Sequence, residues 1–206
     1  RVYAFNGQGG ELAGWGGGKS TSDLVPGSPA VGDIAGDGAP EIVIAALNGE
    51  LYAWHSNGTP VSGFPMTPRG PFGDTDKQDV GKGVVLGDYD GDGKMEIFMT
   101  IGWTIGVIDG NGQMLTRTNS GDPSRPFYYA DGLLLNNPAL GDVDGDGQLE
   151  LVAHNSRLFV WDLPGGAIKA DWPMFKRNPA RTGAALVAPA LTCLLYTSPS
   201  PRDRTR

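Results

Sequence analysis

Three short acidic loops carry the side chains of this chain that are best suited to chemistry. Each follows the pattern Gly-Asp-x-x-Gly-Asp-Gly-x-x-Glu, with the first Asp at position 1 and the Glu at position 9. They are loop 1 (residues 33–41), loop 2 (88–96) and loop 3 (142–150). Carboxylates at alternate positions of a tightly curled loop converge on one point, where a hard cation can bind them. The predicted chemistry is therefore metal binding through oxygen atoms.

Loops 2 and 3 have a full set of candidate ligands, with carboxylates at positions 1, 3, 5 and 9 and a backbone carbonyl at position 7. The predicted metal ligands are Asp88, Asp90, Asp92, Lys94 and Glu96 in loop 2, and Asp142, Asp144, Asp146, Gln148 and Glu150 in loop 3. Unneutralised carboxylates this close together repel one another. All-oxygen ligation favours Ca²⁺ over Zn²⁺ and copper. The larger, more flexible coordination shell of Ca²⁺ suits a loop with many carboxylates better than that of Mg²⁺ does.

Loop 1 is a degraded copy, because Ala35 replaces the carboxylate at position 3 and Pro40 stiffens the approach to position 9. We expect partial or no calcium occupancy there. Its weaker candidate ligands are Asp33, Asp37, Ala39 and Glu41. An ordinary acidic turn is the alternative for a single copy, but the repetition in register disfavours it. An EF-hand would need Glu at position 12 between helices, which the pattern lacks.

The loops recur at intervals of about 55 residues, which is typical of a repeat architecture. Each loop is followed by an apolar strand, and turns such as Asn48-Gly49 favour hairpins. The predicted fold class is all-β: a β-propeller of four-stranded antiparallel blades, with about three and a half blades present. The predicted outer strands are 61–65, 113–116 and 167–172.

The predicted domain boundaries follow the repeat. They are 1–23 for the last two strands of a preceding blade, 24–79 for the blade with loop 1, 80–132 for the blade with loop 2, 133–183 for the blade with loop 3 and a closing segment, and 184–192 for a linker. Residues 193–206 resemble a translated sequencing adapter, so we exclude them from fold reasoning; a natural Pro/Ser/Arg-rich tail is the alternative. We expect the chain to be a fragment whose partners include the remaining blades of the same propeller.

The loops, each followed by an apolar strand, resemble the FG-GAP/VCBS repeats. These build the calcium-binding propeller of integrin α-subunits and of many secreted bacterial proteins. The resemblance covers roughly residues 1–183, and the segment Trp172–Gly183 is similar to one that often closes such arrays. The literal Phe-Gly…Gly-Ala-Pro element, in that order, is not present, so the resemblance is to the bacterial VCBS-like branch. It implies structural Ca²⁺ and an extracellular or cell-surface location.

The predicted function is a non-catalytic calcium-binding module that mediates protein or glycan binding, as in adhesion. The net charge of −7 argues against a nucleic-acid partner, and no apolar run is long enough to span a membrane. No nucleophile elbow, Ser-His-Asp order or phosphate loop is present. The alternative is the accessory or catalytic propeller of a secreted enzyme, a polysaccharide lyase or peptidase, with Lys77 or Arg125 as base. An architectural spacer is a third possibility.

Partner binding is predicted on the face opposite the acidic loops, in the long connections 67–82 and 117–136. The candidate residues are Arg69, Asp74, Asp76, Arg125, Tyr128 and Tyr129. The alternative for the tyrosines is packing against the next blade. Trp54 and Trp161 occupy equivalent strand positions, which predicts core packing, and His55 and His154 are predicted to be structural or surface residues.

Overall fold

The computed structural model describes residues 1–69, 80–116, 128–164, 169–183 and 194–196. Within these ranges the chain forms strands and turns and no α-helix. Every strand pairing is antiparallel. The predicted all-β class is thereby confirmed, whereas a closed propeller and its number of blades stay a prediction.

Three sheets follow one another along the chain. The first contains β2 (Ala30–Gly32), β3 (Glu41–Ala45) and β4 (Leu51–Trp54). The second contains β5 (Val80–Gly87), β6 (Glu96–Ile101), β7 (Thr104–Ile108) and β8 (Tyr128–Tyr129). The third contains β9 (Ala139–Gly141), β10 (Glu150–His154) and β11 (Leu158–Asp162). A separate pair joins β1 (Tyr3–Phe5) to β12 (Leu194–Tyr196).

The outer strands are shorter than the sequence predicts. Beside β4, residues 61–65 do not form a strand, and the edge is held by isolated bridges from Pro60 and Met66. Beside β7, residues 113–116 contribute one bridge, at Met114, and β8 takes the rest of the edge. Prolines at 60 and 65 cannot donate to a ladder. The prediction of a continuous outer strand is therefore wrong at 61–65, and it is also wrong at 113–116, where β8 pairs with β7 instead.

The third strand of each unit has a recurring four-residue pattern, which we call the quartet. The quartets are Val2–Phe5, Leu51–Trp54, Ile105–Ile108 and Leu158–Trp161. In three of them the second and fourth side chains are aromatic and stacked, with ring centroids 6.2, 5.4 and 5.5 Å apart. Trp54 also contacts Trp15 at 6.0 Å, and Trp161 contacts Tyr128 at 5.7 Å. The predicted core packing of Trp54 and Trp161 is confirmed.

Two hydrophobic cores lie between the sheets. The first joins the first and second sheets and includes the fully buried Ile44 and Met99. The second joins the second and third sheets through Phe98 and Leu151. Each buried side chain of this size contributes roughly 1.5–3 kcal/mol of burial free energy. The sheets therefore stack in chain order, as the repeat predicts.

Residues 169–173 lie between sheets and form no strand, and of the predicted outer strand 167–172 the first two residues lie outside the described part of the chain. The N–H of Leu86 in β5 donates to the Trp172 carbonyl at 2.9 Å, and the N–H of Leu140 in β9 donates to the Pro173 carbonyl at 2.7 Å. The Trp172 side chain belongs to the first core and is 2% exposed. The prediction is wrong because this large apolar ring is buried more deeply beside β5 than an outer edge would allow.

The two ends of the sheets carry different connections. At one end, the turns that follow the third strands contact loop 1 and each other, so that a Cβ on Gly110 would lie 1.9 Å from the Ile34 carbonyl oxygen. At the other end, the N–H of Leu47 donates to the Leu24 carbonyl at 2.7 Å. These contacts agree with the predicted placement of loop 1 and the first connection between units on opposite faces, whereas much of the connections 67–82 and 117–136 lies outside the described residues.

The segment that resembles an adapter contributes β12. Tyr196 is opposite Tyr3 and Leu194 is opposite Phe5 in the antiparallel register of this strand with β1. Our exclusion of residues 193–206 from fold reasoning therefore omitted one strand pairing. The origin of these residues stays a prediction.

Candidate metal centres

The aspartate at position 1 holds the backbone of all three acidic loops in the same way. Its two carboxylate oxygens accept hydrogen bonds from the N–H groups at positions 4 and 6, at 2.7–3.1 Å. Both of these positions are glycines with φ between +73° and +90°, a conformation that other residues rarely adopt. The glycines of the motif are therefore required for the loop to turn, and the first aspartate caps the turned backbone.

The glutamate at position 9 is buried beneath each loop. Glu41, Glu96 and Glu150 are 0%, 4% and 3% exposed. In each loop, one carboxylate oxygen accepts the N–H of position 2, at 3.1, 2.6 and 2.6 Å. A buried carboxylate is costly unless it is neutralised or well hydrogen-bonded. The loops thus place a carboxylate where a cation would remove an electrostatic cost.

The electrostatic cost of the buried glutamate is clearest at loop 2. Burial, assisted by the neighbouring Asp90, Asp92 and Asp88 carboxylates, raises the pKa of Glu96 from 4.5 to about 8. Burial also raises the pKa of Glu41 in loop 1, against the Ala35 N–H and His55, which lower it. In the metal-free chain Glu96 therefore retains a proton at neutral pH, which a bound divalent cation would displace.

Loop 2 brings together Asp88, Asp90 and Glu96, with one oxygen of each within 4.8 Å of the others. Asp92 lies outside this triad, because its Oδ2 is 3.2 Å from the Lys94 Nζ and its Oδ1 accepts the Lys94 N–H at 2.8 Å. This backbone hydrogen bond, more than the Lys94 ammonium, lowers the pKa of Asp92. Three hard oxygen donors fit Ca²⁺, whose remaining ligands can be carbonyls and water.

Loop 3 brings together a different triad, Asp142, Asp144 and Asp146, again within 4.8 Å and here fully on the surface. Glu150 is not part of this group and is bonded to the Val143 N–H. The side-chain amide of Gln148 donates to Asp146 Oδ2 at 2.9 Å, and the backbone N–H of Gln148 donates to Asp146 Oδ1. The donors are all carboxylate oxygens, so this loop also fits Ca²⁺.

Loop 1 gathers Asp37, Glu41 and His55, not the predicted set of Asp33, Asp37, Ala39 and Glu41. Both oxygens of Asp33 accept backbone N–H groups of the loop, and the Ala39 N–H donates to Asp37. His55 Nδ1 lies 3.0 Å from Glu41 Oε1. An imidazole beside the buried glutamate is a poor donor set for Ca²⁺, which prefers oxygen ligands. Loop 1 therefore fits calcium less well than loops 2 and 3.

The position of His55 could not be read from loop 1 alone, but the strand register contains its signal. In the third sheet Asp162 is the Cα partner of Glu150. The equivalent residues after the other quartets are His55 and Asp109, so the glutamate of each loop has a residue of the third strand opposite it. That residue is acidic beside loops 2 and 3 and a histidine beside loop 1.

A cavity of about 380 Å³ separates loop 1 from loop 2. Ala35 and His55 line one wall, and Asp90, Lys94 and Glu96 line the other. The Lys94 side chain reaches across to loop 1, where a Cβ on Gly36 would lie 2.7 Å from its Cγ. Loop 2 is therefore partly enclosed by the neighbouring unit.

The residues predicted to bind a partner differ in their surroundings. Tyr128 is 4% exposed and packs in the second core, as the packing alternative predicts, whereas Tyr129 is 44% exposed. Arg69 is exposed at the end of its described segment. Asp74, Asp76 and Arg125 lie outside the described residues, as do Lys77 and Phe127. Among the candidates that the structure describes, the exposed ones are thus Arg69 and Tyr129.

Comparison with known proteins adds a family match. Among the described residues, no helix is long and apolar enough to cross a membrane. No curated protein matches the chain significantly. Among solved structures, the biofilm matrix protein Bap1 of V. cholerae matches with 16% identity and a TM-score of 0.42, over 67% of this chain and 22% of that one. The chain thus spans about a fifth of that protein.

Residues 33–99, which include loops 1 and 2, match the FG-GAP-like repeat family, and the resemblance predicted from the loops is confirmed there.

Proposed function

We propose that the chain is a calcium-stabilised, non-catalytic β-propeller module that works outside the cell and binds a protein or glycan partner. The observation that carries this proposal is the repeated loop scaffold, which gathers three carboxylates in loop 2 and three in loop 3. In loop 1, the same scaffold brings together two carboxylates and the His55 imidazole. Two units therefore have the ligands for a structural cation, as the sequence predicts.

Calcium is favoured by charge as well as by donor type. Each triad concentrates up to three negative charges within 4.8 Å, and a multivalent cation relieves the mutual repulsion of such a group. Calcium accepts six to eight oxygen ligands in a flexible geometry, so carbonyls and water can complete the shell.

An extracellular location is part of the proposal, and weak calcium sites are compatible with it. Extracellular calcium modules commonly bind with dissociation constants of about 10⁻⁴ to 10⁻³ M, which fill outside cells and stay empty in the cytosol. Loop 3 is exposed to solvent on all of its ligands, a setting that favours weak binding. The FG-GAP-like repeat of residues 33–99 agrees with such a setting.

The partner surface is proposed on the face opposite the acidic loops. The connections of that face include the exposed Arg69 and Tyr129, and an exposed aromatic ring and an Arg are typical anchors of interfaces and glycan sites. Calcium in this proposal holds the scaffold and does not touch the partner.

Isothermal titration of CaCl₂ into the chelator-treated chain tests the calcium proposal. We expect about two ions per chain, and about one for each of the single variants Asp90→Asn and Asp144→Asn. The matched control Asp37→Asn, in loop 1, should still bind about two. Absence of calcium binding at millimolar concentration, or loss of an ion in the control, would contradict the assignment.

A screen of glycan and extracellular-matrix protein arrays tests the partner proposal, with Arg69→Ala and Tyr129→Ala as the variants. We expect binding that these substitutions weaken and that Asp37→Asn preserves. Calcium-dependent cleavage of polyuronides or peptides would instead support the enzymatic alternative, and an empty screen would support an architectural spacer.

A further inference from the structure

The residue beside the buried glutamate is where loop 1 departs most from the other acidic loops. Continuing the register of β3 with β4 by one residue places His55 beside Glu41, just as Asp162 lies beside Glu150 in the third sheet. An imidazole suits zinc and similar transition metals, whereas a carboxylate suits ions such as calcium. The histidine therefore changes the kind of metal that loop 1 can hold.

Three side chains of two donor types come together at this place. One ligand atom each of Asp37, Glu41 and His55 lies within 4.8 Å of the others. Glu41 is fully buried, and its Oε2 accepts the N–H groups of Ile34 and Ala35, both at 3.1 Å. Its Oε1 lies 3.0 Å from His55 Nδ1. The backbone thus fixes one oxygen of the glutamate, and the other is left for the imidazole or for a metal that both residues bind.

The distance between Glu41 Oε1 and His55 Nδ1 fits two neighbouring ligands of one small metal ion. Zinc binds histidine nitrogen at about 2.0–2.1 Å and carboxylate oxygen at about 2.0–2.2 Å. Two such ligands are roughly 3.0 Å apart at a right angle and roughly 3.4 Å apart at a tetrahedral angle. The observed 3.0 Å lies at the lower end of this range. A small widening is enough for a metal to replace the hydrogen bond between the two side chains.

The site also has room for the rest of a coordination shell. Ala35 and His55 line the cavity of about 380 Å³ between loops 1 and 2. Position 3, which supplies the Asp90 carboxylate in loop 2, supplies only a methyl group here. Neither the imidazole nor the cavity belongs to the acidic motif of the loop. Together they give two carboxylates, one imidazole and space for water, which is a donor set that divalent transition metals take.

We propose that loop 1 is a binding site for a divalent transition metal such as zinc, with Asp37, Glu41 and His55 as its ligands. Glu41 supplies Oε1, and His55 supplies Nδ1 while its ring proton is on Nε2. Asp37 supplies Oδ2, since its Oδ1 accepts the Ala39 N–H at 2.8 Å. The chain then has two classes of metal site. The inference goes beyond the calcium proposal, which assigns loops 2 and 3 only, and it does not depend on that proposal.

Calorimetric titration of ZnCl₂ into the chain in excess calcium tests the proposal, because calcium competes for the all-oxygen sites. We expect about one zinc ion per chain, bound at least tenfold more weakly by His55→Gln and by Asp37→Asn. The matched control is His154→Gln, which should bind zinc as the wild type does. His154 is the other histidine of the chain, and it belongs to none of the candidate metal groups among the described residues.

Two outcomes of the titration would overturn the proposal: no zinc binding by the wild type, or zinc binding that His55→Gln and Asp37→Asn leave unchanged. The second outcome would place zinc at the other acidic loops or at His154. Circular dichroism identifies a variant that fails to fold. Asp37 is exposed, so Asp37→Asn keeps the test decisive if His55→Gln does not fold.

Long-range ¹H–¹⁵N spectra of the imidazoles test the ligand atom. Because the chain has two histidines, each ring can be followed separately. We expect one equivalent of zinc to shift the Nδ1 signal of His55 and to leave His154 unchanged, and calcium alone should not produce this shift. A His55 ring that keeps its metal-free signals would overturn the proposal and would assign the imidazole to its pairing with Glu41. This readout is independent of whether loops 2 and 3 bind calcium.

Discussion

Loops 1 and 2 share a backbone and differ in what that backbone gathers. In both, the position-1 aspartate caps the N–H groups of positions 4 and 6, and the glutamate accepts an N–H at the start of the loop. Loop 2 adds Asp90, whereas loop 1 has Ala35 and the imidazole of His55. The scaffold therefore does not need a complete set of metal ligands. Two hydrogen-bonding carboxylates and two glycines shape the loop, and we propose that position 3, together with the residue opposite the glutamate, selects the ion that it binds.

The largest expected difference between the loops is the response to chelation. A ligand at 100 times its dissociation constant stabilises the folded state by about 2.7 kcal/mol per site, so two filled sites contribute about 5 kcal/mol. We expect EGTA to lower the melting temperature of the wild type by several degrees relative to excess calcium, measured by scanning fluorimetry. The double variant Asp90→Asn with Asp144→Asn should lose this response, while Asp37→Asn keeps it. An equal melting temperature in both conditions would remove the distinction between the loops.

The next effect is the pH dependence of the metal-free chain. Because the pKa of Glu96 is raised from 4.5 to about 8 on folding, the folded chain binds this proton more tightly than the unfolded chain. The contribution of Glu96 to stability is then highest below pH 4.5 and is lost as the pH rises toward 8, on the order of 2–4 kcal/mol. Urea denaturation in EGTA from pH 5 to 8.5 should show this decline, and Glu96→Gln should flatten it. A stability that rises over this interval in the wild type would contradict the assignment.

A smaller effect on stability distinguishes aspartates that only hold the loop backbone from those that also bind calcium. Asp33→Ala and Asp88→Ala each leave two or more backbone N–H groups without their carboxylate acceptor, so each should lower the free energy of unfolding by about 1–3 kcal/mol in EGTA. With calcium present, the loss for Asp88→Ala should grow, and the loss for Asp33→Ala should not. Chemical denaturation in both conditions measures this. Equal growth in the two variants would show that loop 1 binds calcium as well.

The smallest and most specific effect is the conversion of loop 1. Ala35→Asp with His55→Asp supplies the carboxylates that loops 2 and 3 have at the equivalent positions. Since the backbone is already shared, we expect calorimetry to count about three calcium ions per chain instead of two. His55→Asp alone should leave the count at two. An unchanged count in the double variant would mean that the contact of Lys94 with Gly36, or another feature of the unit, also prevents binding.

The sequence predicted the acidic loops and the inner strands, but it did not predict several of the segments that pack against them. The acidic loops, the inner strands and the packing of Trp54 and Trp161 follow from local pattern, because turn glycines and alternating apolar residues act over a few residues. The outer strand at 61–65 fails where prolines interrupt the ladder, and the one at 113–116 fails where β8 pairs with β7. Residues 169–173 were assigned to the wrong partner, since the apolar Trp172 is equally compatible with an edge and a core. Asp92 stays a predicted ligand, and in the metal-free chain its carboxylate is paired with Lys94, two residues away.

By itself, the sequence determined that the chain is a repeat of β units with acidic loops, and that loop 1 lacks a ligand at Ala35. Only the tertiary structure decided that His55 lies beside Glu41, that Tyr128 is buried, and that Leu51 and Leu158 have opposite fates. Those two leucines hold the same place in equivalent quartets, yet one is fully buried and the other is 70% exposed. The physical reason is that local pattern specifies which way a side chain points, whereas burial depends on whether another unit packs against that face.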